Sequence, residues 1–178
     1  ENRITQLTTA TTYHTIGAVH QQTDRNQLTH TYTYTNGGRT RTHTRPDSAT
    51  EITESYLDGQ TKSVTGTGVV AHYYSYSVET DGNRVSRESI GSATSPRWSE
   101  READWSGRTI EARKPAYSGA NHVTTSFYNS LGQLKKQTRT GLAPTLYTYN
   151  DLGQRVRQGI DLNANDVLDE ASTDPITE

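Results

Sequence analysis

Polar and apolar residues alternate in short runs along most of the chain, and the runs are cut at regular intervals by glycine, proline, asparagine and aspartate. Tyr32 and Tyr34, Tyr74 and Tyr76, and Tyr147 and Tyr149 stand two apart with threonine or serine between them. Both rings of each pair therefore fall on one face of an extended strand. Thr40, Thr42 and Thr44 alternate in the same way with Arg41, His43 and Arg45, a β-branched face backed by a charged one. The breakers leave strands of roughly five to eight residues, about 17 to 26 Å long. No stretch has a comparable helical period.

The breakers themselves are periodic. Gly17, Gly38, Gly59, Gly82, Gly107, Gly132 and Gly153 recur roughly every 21 to 25 residues, the spacing of repeat architectures. In four units a tyrosine stands four positions ahead of the glycine (Tyr13, Tyr34, Tyr128, Tyr149), and an apolar residue often follows it, as at Val19, Val85, Ile110, Leu134 and Val156. A second set of turn residues falls between the glycines: Asp24 to Asn26, Pro46 to Ser48, Gly66 to Gly68, Gly91 to Ser92, Pro115, Gly141 to Pro144, and Gly159. Glycine tolerates positive φ and proline fixes φ near −65°, so each unit reverses twice for steric reasons. The pattern predicts an all-β chain of stacked antiparallel β-hairpins in a curved, twisted repeat sheet. About seven units would occupy residues 1–160, with an acidic tail at 161–178 that is a loop, a short helical turn or a disordered end. Residues 92–106 break the pattern and are expected to bulge from the sheet.

Composition narrows the class. Leu, Ile, Val and Phe make up about 15% of the residues, below the roughly 20% of a conventional core, so a deep core is not expected. The net charge of −2 argues against a solvated coil and gives no electrostatic footprint for nucleic acid. Without cysteine there is no disulfide framework and no thiolate metal site. No run approaches the roughly 18 apolar residues of a membrane span, and Glu1-Asn2-Arg3 has neither an initiating methionine nor a signal-peptide core. The chain reads as a segment of something longer.

Two stretches carry a family resemblance. Phe127-Tyr128-Asn129-Ser130-Leu131-Gly132-Gln133-Leu134 and Tyr147-Thr148-Tyr149-Asn150-Asp151-Leu152-Gly153-Gln154-Arg155-Val156 resemble consecutive tyrosine-aspartate (YD) repeats of the Rhs type, whose register is Tyr-Asp-x-x-Gly-Arg-Leu. Asn129 and Asn150 replace the aspartate, and Gln133 and Gln154 replace the arginine. The other units are degenerate, with Tyr56 one place late, Tyr76 six places ahead of Gly82, and Trp105 beside Gly107. The resemblance implies hairpins stacked into a β-strip of the kind that forms hollow shells around a toxin or teneurin-like barrels. It also implies a secreted or cell-surface location, and partners in the remainder of the parent repeat protein or an enclosed domain. The Asp-Pro-x-Gly type of motif that accompanies self-cleavage in the family is missing, since Asp174-Pro175 is followed by Ile176 and Thr177.

Candidate chemistry is sparse. The repeat residues Tyr13, Gly17, Tyr34, Gly38, Gly59, Gly82, Gly107, Tyr128, Gly132, Tyr149 and Gly153 are expected to be structural. The tyrosine pairs at 32/34, 74/76 and 147/149 would be sheet core, or else a glycan-stacking surface. Asp161, Asn163, Asn165, the Val167 carbonyl and Asp169 fall at positions 1, 3, 5, 7 and 9 of a calcium loop. Asp166 stands there in place of the glycine and Ser172 in place of the glutamate at position 12. The six histidines form no metalloprotease motif, and no nucleophile elbow or phosphate loop is present. The carboxylate pairs Glu100/Glu102 and Asp169/Glu170 read as solvated charge. The expectation is therefore a non-catalytic scaffold that walls off or displays another domain, and free strand edges predict self-association. The alternative is an adhesin-like module that binds glycans or a protein through exposed tyrosines, Trp98 or Trp105.

Overall fold

The computed structural model describes residues 9–117, 119–169 and 174–177. Glu1 to Arg3, Glu170 and Ser172, named above, lie outside the described residues. The protein is all-β. Among the described residues fifteen strands follow one another in the sheet in chain order, and the one helical element is the 3-10 turn Asn36–Gly38.

The chain divides into two compact units, residues 1–75 with 89–95, and residues 76–88 with 96–178. The first holds β1 (Ala10–Tyr13), β2 (Val19–Thr23), β3 (Thr29–Thr35), β4 (Thr40–Thr44), β5 (Thr50–Ser55) and β6 (Thr61–Thr65). β7 (His72–Val78) and β8 (Arg84–Ile90) contribute residues to both. The second holds β9 (Trp98–Ala103), β10 (Thr109–Pro115), β11 (Asn121–Tyr128), β12 (Leu134–Arg139), β13 (Leu142–Tyr149), β14 (Arg155–Ile160) and β15 (Ile176–Thr177). Within each unit neighbouring strands pair antiparallel, as the short connections require.

Five hairpins share a slip in register just past the turn. Tyr128 pairs with Leu134 but Phe127 with Lys136, and Tyr149 pairs with Arg155 but Thr148 with Arg157. The hairpins β1–β2, β5–β6 and β9–β10 do the same. Each slip leaves one residue of the second strand unopposed: His20, Lys62, Ile110, Lys135 and Val156. Such a bulge bends its strand and sharpens the local right-handed twist.

Little is fully buried. Among the described residues Ala103 and Leu146 are the buried apolar side chains, alongside the polar Ser63, Ser89, Asp104 and Asp161. Among the described residues every buried side-chain nitrogen or oxygen has a hydrogen-bond partner, which removes the penalty of leaving such groups dry and unpaired. With so little core, cohesion comes from the backbone ladder and from cross-strand side-chain pairs.

Two expectations give way. Residues 92–106 do not simply bulge, because 98–103 form β9 and 104–108 form a turn of the repeating kind. Gly159 is not a turn residue. It lies buried in β14 opposite Ile176, where a Cβ would sit 2.7 Å from Leu168 Cδ2 and 3.0 Å from the Pro175 carbonyl oxygen. The glycine is there to let the chain beyond residue 160 fold back closely. Over residues 161–169 that chain is irregular, and Ile176–Thr177 add β15 to β14.

Candidate functional site: the stacked hairpin turns

Nine reversals share one hydrogen-bond pattern, at 14–18, 24–28, 45–49, 56–60, 79–83, 104–108, 116–120, 129–133 and 150–154. The amide of the first residue donates to the carbonyl of the fifth, and the amide of the fourth donates to the carbonyl of the first. Asn129 N to Gln133 O and Gly132 N to Asn129 O, both 2.9 Å, are one instance. In every case the fourth residue has φ between 63° and 86°. This is a three-residue hairpin loop whose last position is left-handed, the conformation glycine adopts at no steric cost.

Gly17, Gly59, Gly82, Gly107, Gly132 and Gly153 all occupy that fourth position. Gly38 does not. It belongs to a four-residue reversal in which Asn36, Gly37 and Gly38 all have positive φ and Thr35 pairs with Thr40. Three turns absent from the sequence-derived glycine series use the same position through Gln27, Ser48 and Gly119.

A side-chain carboxylate or amide closes most of these turns. Where the first residue is Asp24, Asp104, Asn129 or Asn150, its Oδ1 accepts the amides of the third and fifth residues at 2.8–3.1 Å. Elsewhere an aspartate in third place, Asp47, Asp58 or Asp81, accepts the fifth amide at 3.0 Å. Both arrangements are the short-range capping for which Asp and Asn are suited in turns.

The replacement of aspartate and arginine by asparagine and glutamine turns out to be paired. Asp104 Oδ2 receives Arg108 Nε and Nη2, each at 2.7 Å. In the next two such hairpins Asn129 donates to Gln133 Oε1 at 2.7 Å and Asn150 to Gln154 Oε1 at 3.0 Å. An ion pair is exchanged for an amide pair across the same two positions. For Asp104 the largest influence is burial, which raises its pKa, but the hydrogen bonds from Ser106 and Arg108 and the guanidinium charge together outweigh it and bring the carboxyl down to about 2.

The tyrosines connect successive hairpins. Tyr128 donates its hydroxyl to the Thr109 carbonyl at 2.8 Å, and Tyr149 donates to the Leu134 carbonyl at 2.9 Å. Thr109 and Leu134 each follow the fifth residue of the preceding turn of this kind, so the two links are equivalent. Arg108 lies 4.8 Å over the Tyr128 ring and also crowds Gly132, where a Cβ would be 3.0 Å from its Nη1. Gln133 donates to the Gly153 carbonyl at 3.2 Å. The fifth residue of one turn thus covers the glycine of the next. In the first unit the links run forward, from Tyr56 to the Tyr74 carbonyl and from His14 Nε2 to the Tyr32 carbonyl, both at 3.0 Å. Tyr13 is 63% exposed, whereas Tyr34 is half-buried with its ring edge-on to His14.

Of the other tyrosines in the predicted pairs, Tyr32, Tyr74 and Tyr147 are half-buried and Tyr76 is exposed. Trp105 and Tyr117 stand out in solvent. Glu100 and Glu102 converge on Arg113, at 3.1 and 3.7 Å, and Glu111 joins them as a third carboxylate on the same guanidinium. These carboxylates serve cross-strand ion pairing, which the sequence, with no register to work from, left as solvated charge.

In the segment after β14, Asp161 is fully buried and accepts the amides of Asn165 at 3.2 Å and Asp166 at 2.9 Å. Asn163 and Asn165 accept the amides two residues on, and Asn165 donates to Asp169 at 2.7 Å. Asp166 has φ 63°, so it adopts the left-handed conformation that a glycine would supply at the sixth position of a calcium loop. Among the described residues no three His, Asp or Glu side chains converge to hold a metal ion. Asp166 also pairs with Lys136, which draws the segment toward the face of β12–β14. A cavity of about 540 Å³ lies between them, lined by Lys136, Leu146, Tyr147, Val156, Val167 and Leu168. No helix among the described residues is long and apolar enough to cross a membrane.

No protein-family model matches the chain, and no curated protein matches it. Solved structures do. A TcdB2-TccC3-Cdc42 structure and one of TcdB2-TccC3 without its hypervariable C-terminal region each match 85% of this chain at 17% identity and a TM-score of 0.37. A Photorhabdus luminescens Tc holotoxin pore with a TccC3 mutation matches 88% at 11% identity and a TM-score of 0.38. The chain spans only 7 to 11% of the length of those chains.

Proposed function

We propose that the chain is a non-catalytic structural segment of a YD/Rhs-repeat surface or secreted protein, a stretch of β-wall that encloses or displays another domain. The observation that carries this reading is the equivalent linking of consecutive hairpins by Tyr128 and Tyr149, each bonded to the backbone of the hairpin before it. A side chain committed to a neighbouring repeat supports stacking and is not available for a ligand. Stability in such an array grows with each neighbour added. The partners on this reading are the remainder of the parent repeat protein and whatever the wall encloses.

The adhesin-like alternative needs aromatic rings free to stack on a sugar, and Trp105, Tyr117 and Tyr13 meet that condition. A glycan array on the whole chain, with Trp105→Ala and Tyr13→Ala beside it, separates the two. The scaffold reading expects no specific binding. Glycan binding that disappears in these variants while the thermal midpoint stays constant would replace it with the binding module. Calcium at Asp161, Asn163, Asn165, the Val167 carbonyl and Asp169 accompanies the proposal as a stabiliser of the segment after β14. Calorimetric titration should then show saturable uptake that is lost in Asn163→Ala, and a flat titration ends the calcium reading alone.

A further inference from the structure

One side-chain cluster is not used by the repeat. On the face shared by β3, β4 and β5, Tyr32 stands opposite His43 and His43 opposite Glu51. His30, two residues from Tyr32 on the same strand face, brings its Nδ1 to 2.9 Å from His43 Nε2. The Tyr32 ring stacks on His43 at 4.6 Å and 9°. Arg41 on β4 and Arg45 just past its end flank His43, and both reach Glu51, at 3.6 and 3.9 Å. From β2 the uncharged Gln22 faces His30. The surroundings therefore hold two guanidiniums and one carboxylate before either imidazole takes up a proton.

Two ring nitrogens at 2.9 Å need a proton between them, because one must donate and the other accept. A neutral pair meets that requirement, and so does a pair carrying a single extra proton. With two extra protons all four ring nitrogens are donors, and the facing nitrogens have nothing to share. We propose that His30 and His43 form an acid-released latch between β3 and β4, closed while the pair carries at most one extra proton and open once it carries two.

The same surroundings place the opening on the acid side of neutrality. His43 is held below its ordinary value of 6.5, first by burial, then by His30 and the two arginines, against the opposing pull of Glu51. Because the folded-state value is lowered, the stability contributed by this contact is complete above 6.5 and is lost as the pH falls through the folded value. The Tyr32 ring attracts an imidazolium only weakly. A transition-metal site is the less fitting use of the pair, since two guanidiniums on the same face oppose a dication. The pair sits in β3–β4, the hairpin closed by Asn36–Gly38 instead of the repeated turn.

The test is a pH titration of the intact chain followed by NMR of the imidazoles and by amide hydrogen exchange. The His43 imidazole should titrate below its ordinary value of 6.5. Between pH 7.5 and 5, exchange of the Thr31, Thr33 and Thr42 amides should rise at least about tenfold beyond the intrinsic pH effect, the population change that one pKa unit represents. Amides of β11–β13 should not follow. His43→Gln, which keeps hydrogen-bonding groups but does not titrate, should abolish the rise. Titration of His43 at the ordinary value, or an equal rise in His43→Gln, would overturn the latch. If that variant fails to fold, the wild-type titration decides by itself.

Discussion

The reversals that lead from an odd strand to an even one differ sharply from those that lead from an even strand to an odd one. Six of the seven odd-to-even connections contain five residues, and the remaining one, at 36–39, contains four. Among the connections described throughout, the even-to-odd ones run from two residues, at 140–141, to seven, at 91–97. Five of the six register slips fall in odd-to-even hairpins; the sixth lies in β12–β13 between Gln137 and Arg139, and the even-to-odd turns at 24–28, 45–49 and 116–120 have none. One kind of turn is thus nearly constant in length, mostly bulged and tied to its neighbours, while the other varies. A strip of hairpins needs an unvarying stacking edge, and it can absorb insertions only at the opposite ends of the strands. The uneven spacing of the glycines, roughly 21 to 25 residues, is the sequence trace of that division.

The strongest challenge to the comparison comes from the variable set. Gly66 has φ 135°, and a Cβ there would lie 2.1 Å from the Thr50 carbonyl oxygen, a backbone atom with nowhere to go. Gly66→Ala should destabilise by roughly 3 kcal/mol or more, combining strain with overpacking. Gly132→Ala meets only the movable end of Arg108 and should cost about 1–2 kcal/mol from its left-handed backbone. Chemical denaturation of both variants checks the order. If Gly132→Ala proves the more damaging, the stacking edge is stiffer than its contacts imply.

Next in size is the exchange of pairs across the turn. Asp104→Asn leaves Arg108 facing an amide and should lower the thermal midpoint, whereas Asp104→Asn with Arg108→Gln reproduces the Asn129–Gln133 geometry and should recover most of the loss. A double-mutant cycle measures the coupling. The pH dependence supplies a second readout. Because the Asp104 carboxyl is lowered to about 2 in the fold, its contribution is complete above the ordinary value of 3.8 and disappears as the pH falls toward 2. The double variant should lose that acid-dependent component, and retention of it would show that other carboxylates carry the acid response.

Tyr128→Phe and Tyr149→Phe each remove one hydroxyl-to-carbonyl link while keeping the ring. Each should cost about 0.5–1.5 kcal/mol, and the two should be similar because the links are equivalent. A cost at Tyr149 with none at Tyr128 would break that equivalence.

How far the sequence discloses this arrangement depends on which residues the geometry constrains. Six of the seven glycines stand out because a left-handed position admits few other residues cheaply. Gly38 shares the conformation but not the turn, and periodicity cannot distinguish the two. Gln27 and Ser48 hold the same position without glycine, each in a turn capped by an aspartate, Asp24 or Asp47, so composition conceals them. The bulged residues His20, Lys62, Ile110, Lys135 and Val156 have no chemistry in common and no signature to read. Tyr128 and Tyr149 were legible as repeat residues, but the carbonyls they reach lie 19 and 15 residues back, a distance that only the register reveals. β15 has two residues and is too short for any alternation.

The smallest effect tests why the variable set tolerates ordinary residues at all. Gln27 sits at φ 63°, a conformation costing a side-chain-bearing residue about 1–2 kcal/mol. Glycine would relieve that strain and give back about 0.5–1 kcal/mol through its greater freedom in the unfolded chain. Gln27→Gly should therefore raise stability by at most about 0.5–1 kcal/mol, less whatever the interaction that Gln27 makes contributes, read as a small upward shift of the thermal midpoint. Asp24 already satisfies the amides of Asn26 and Leu28 at 2.8 and 3.0 Å, so the substitution leaves the cap intact. A gain means that this turn retains strain which Asp24 compensates. No gain, or a loss, means that the Gln27 side chain contributes contacts of its own, and the even-to-odd turns are then specified by more than backbone conformation.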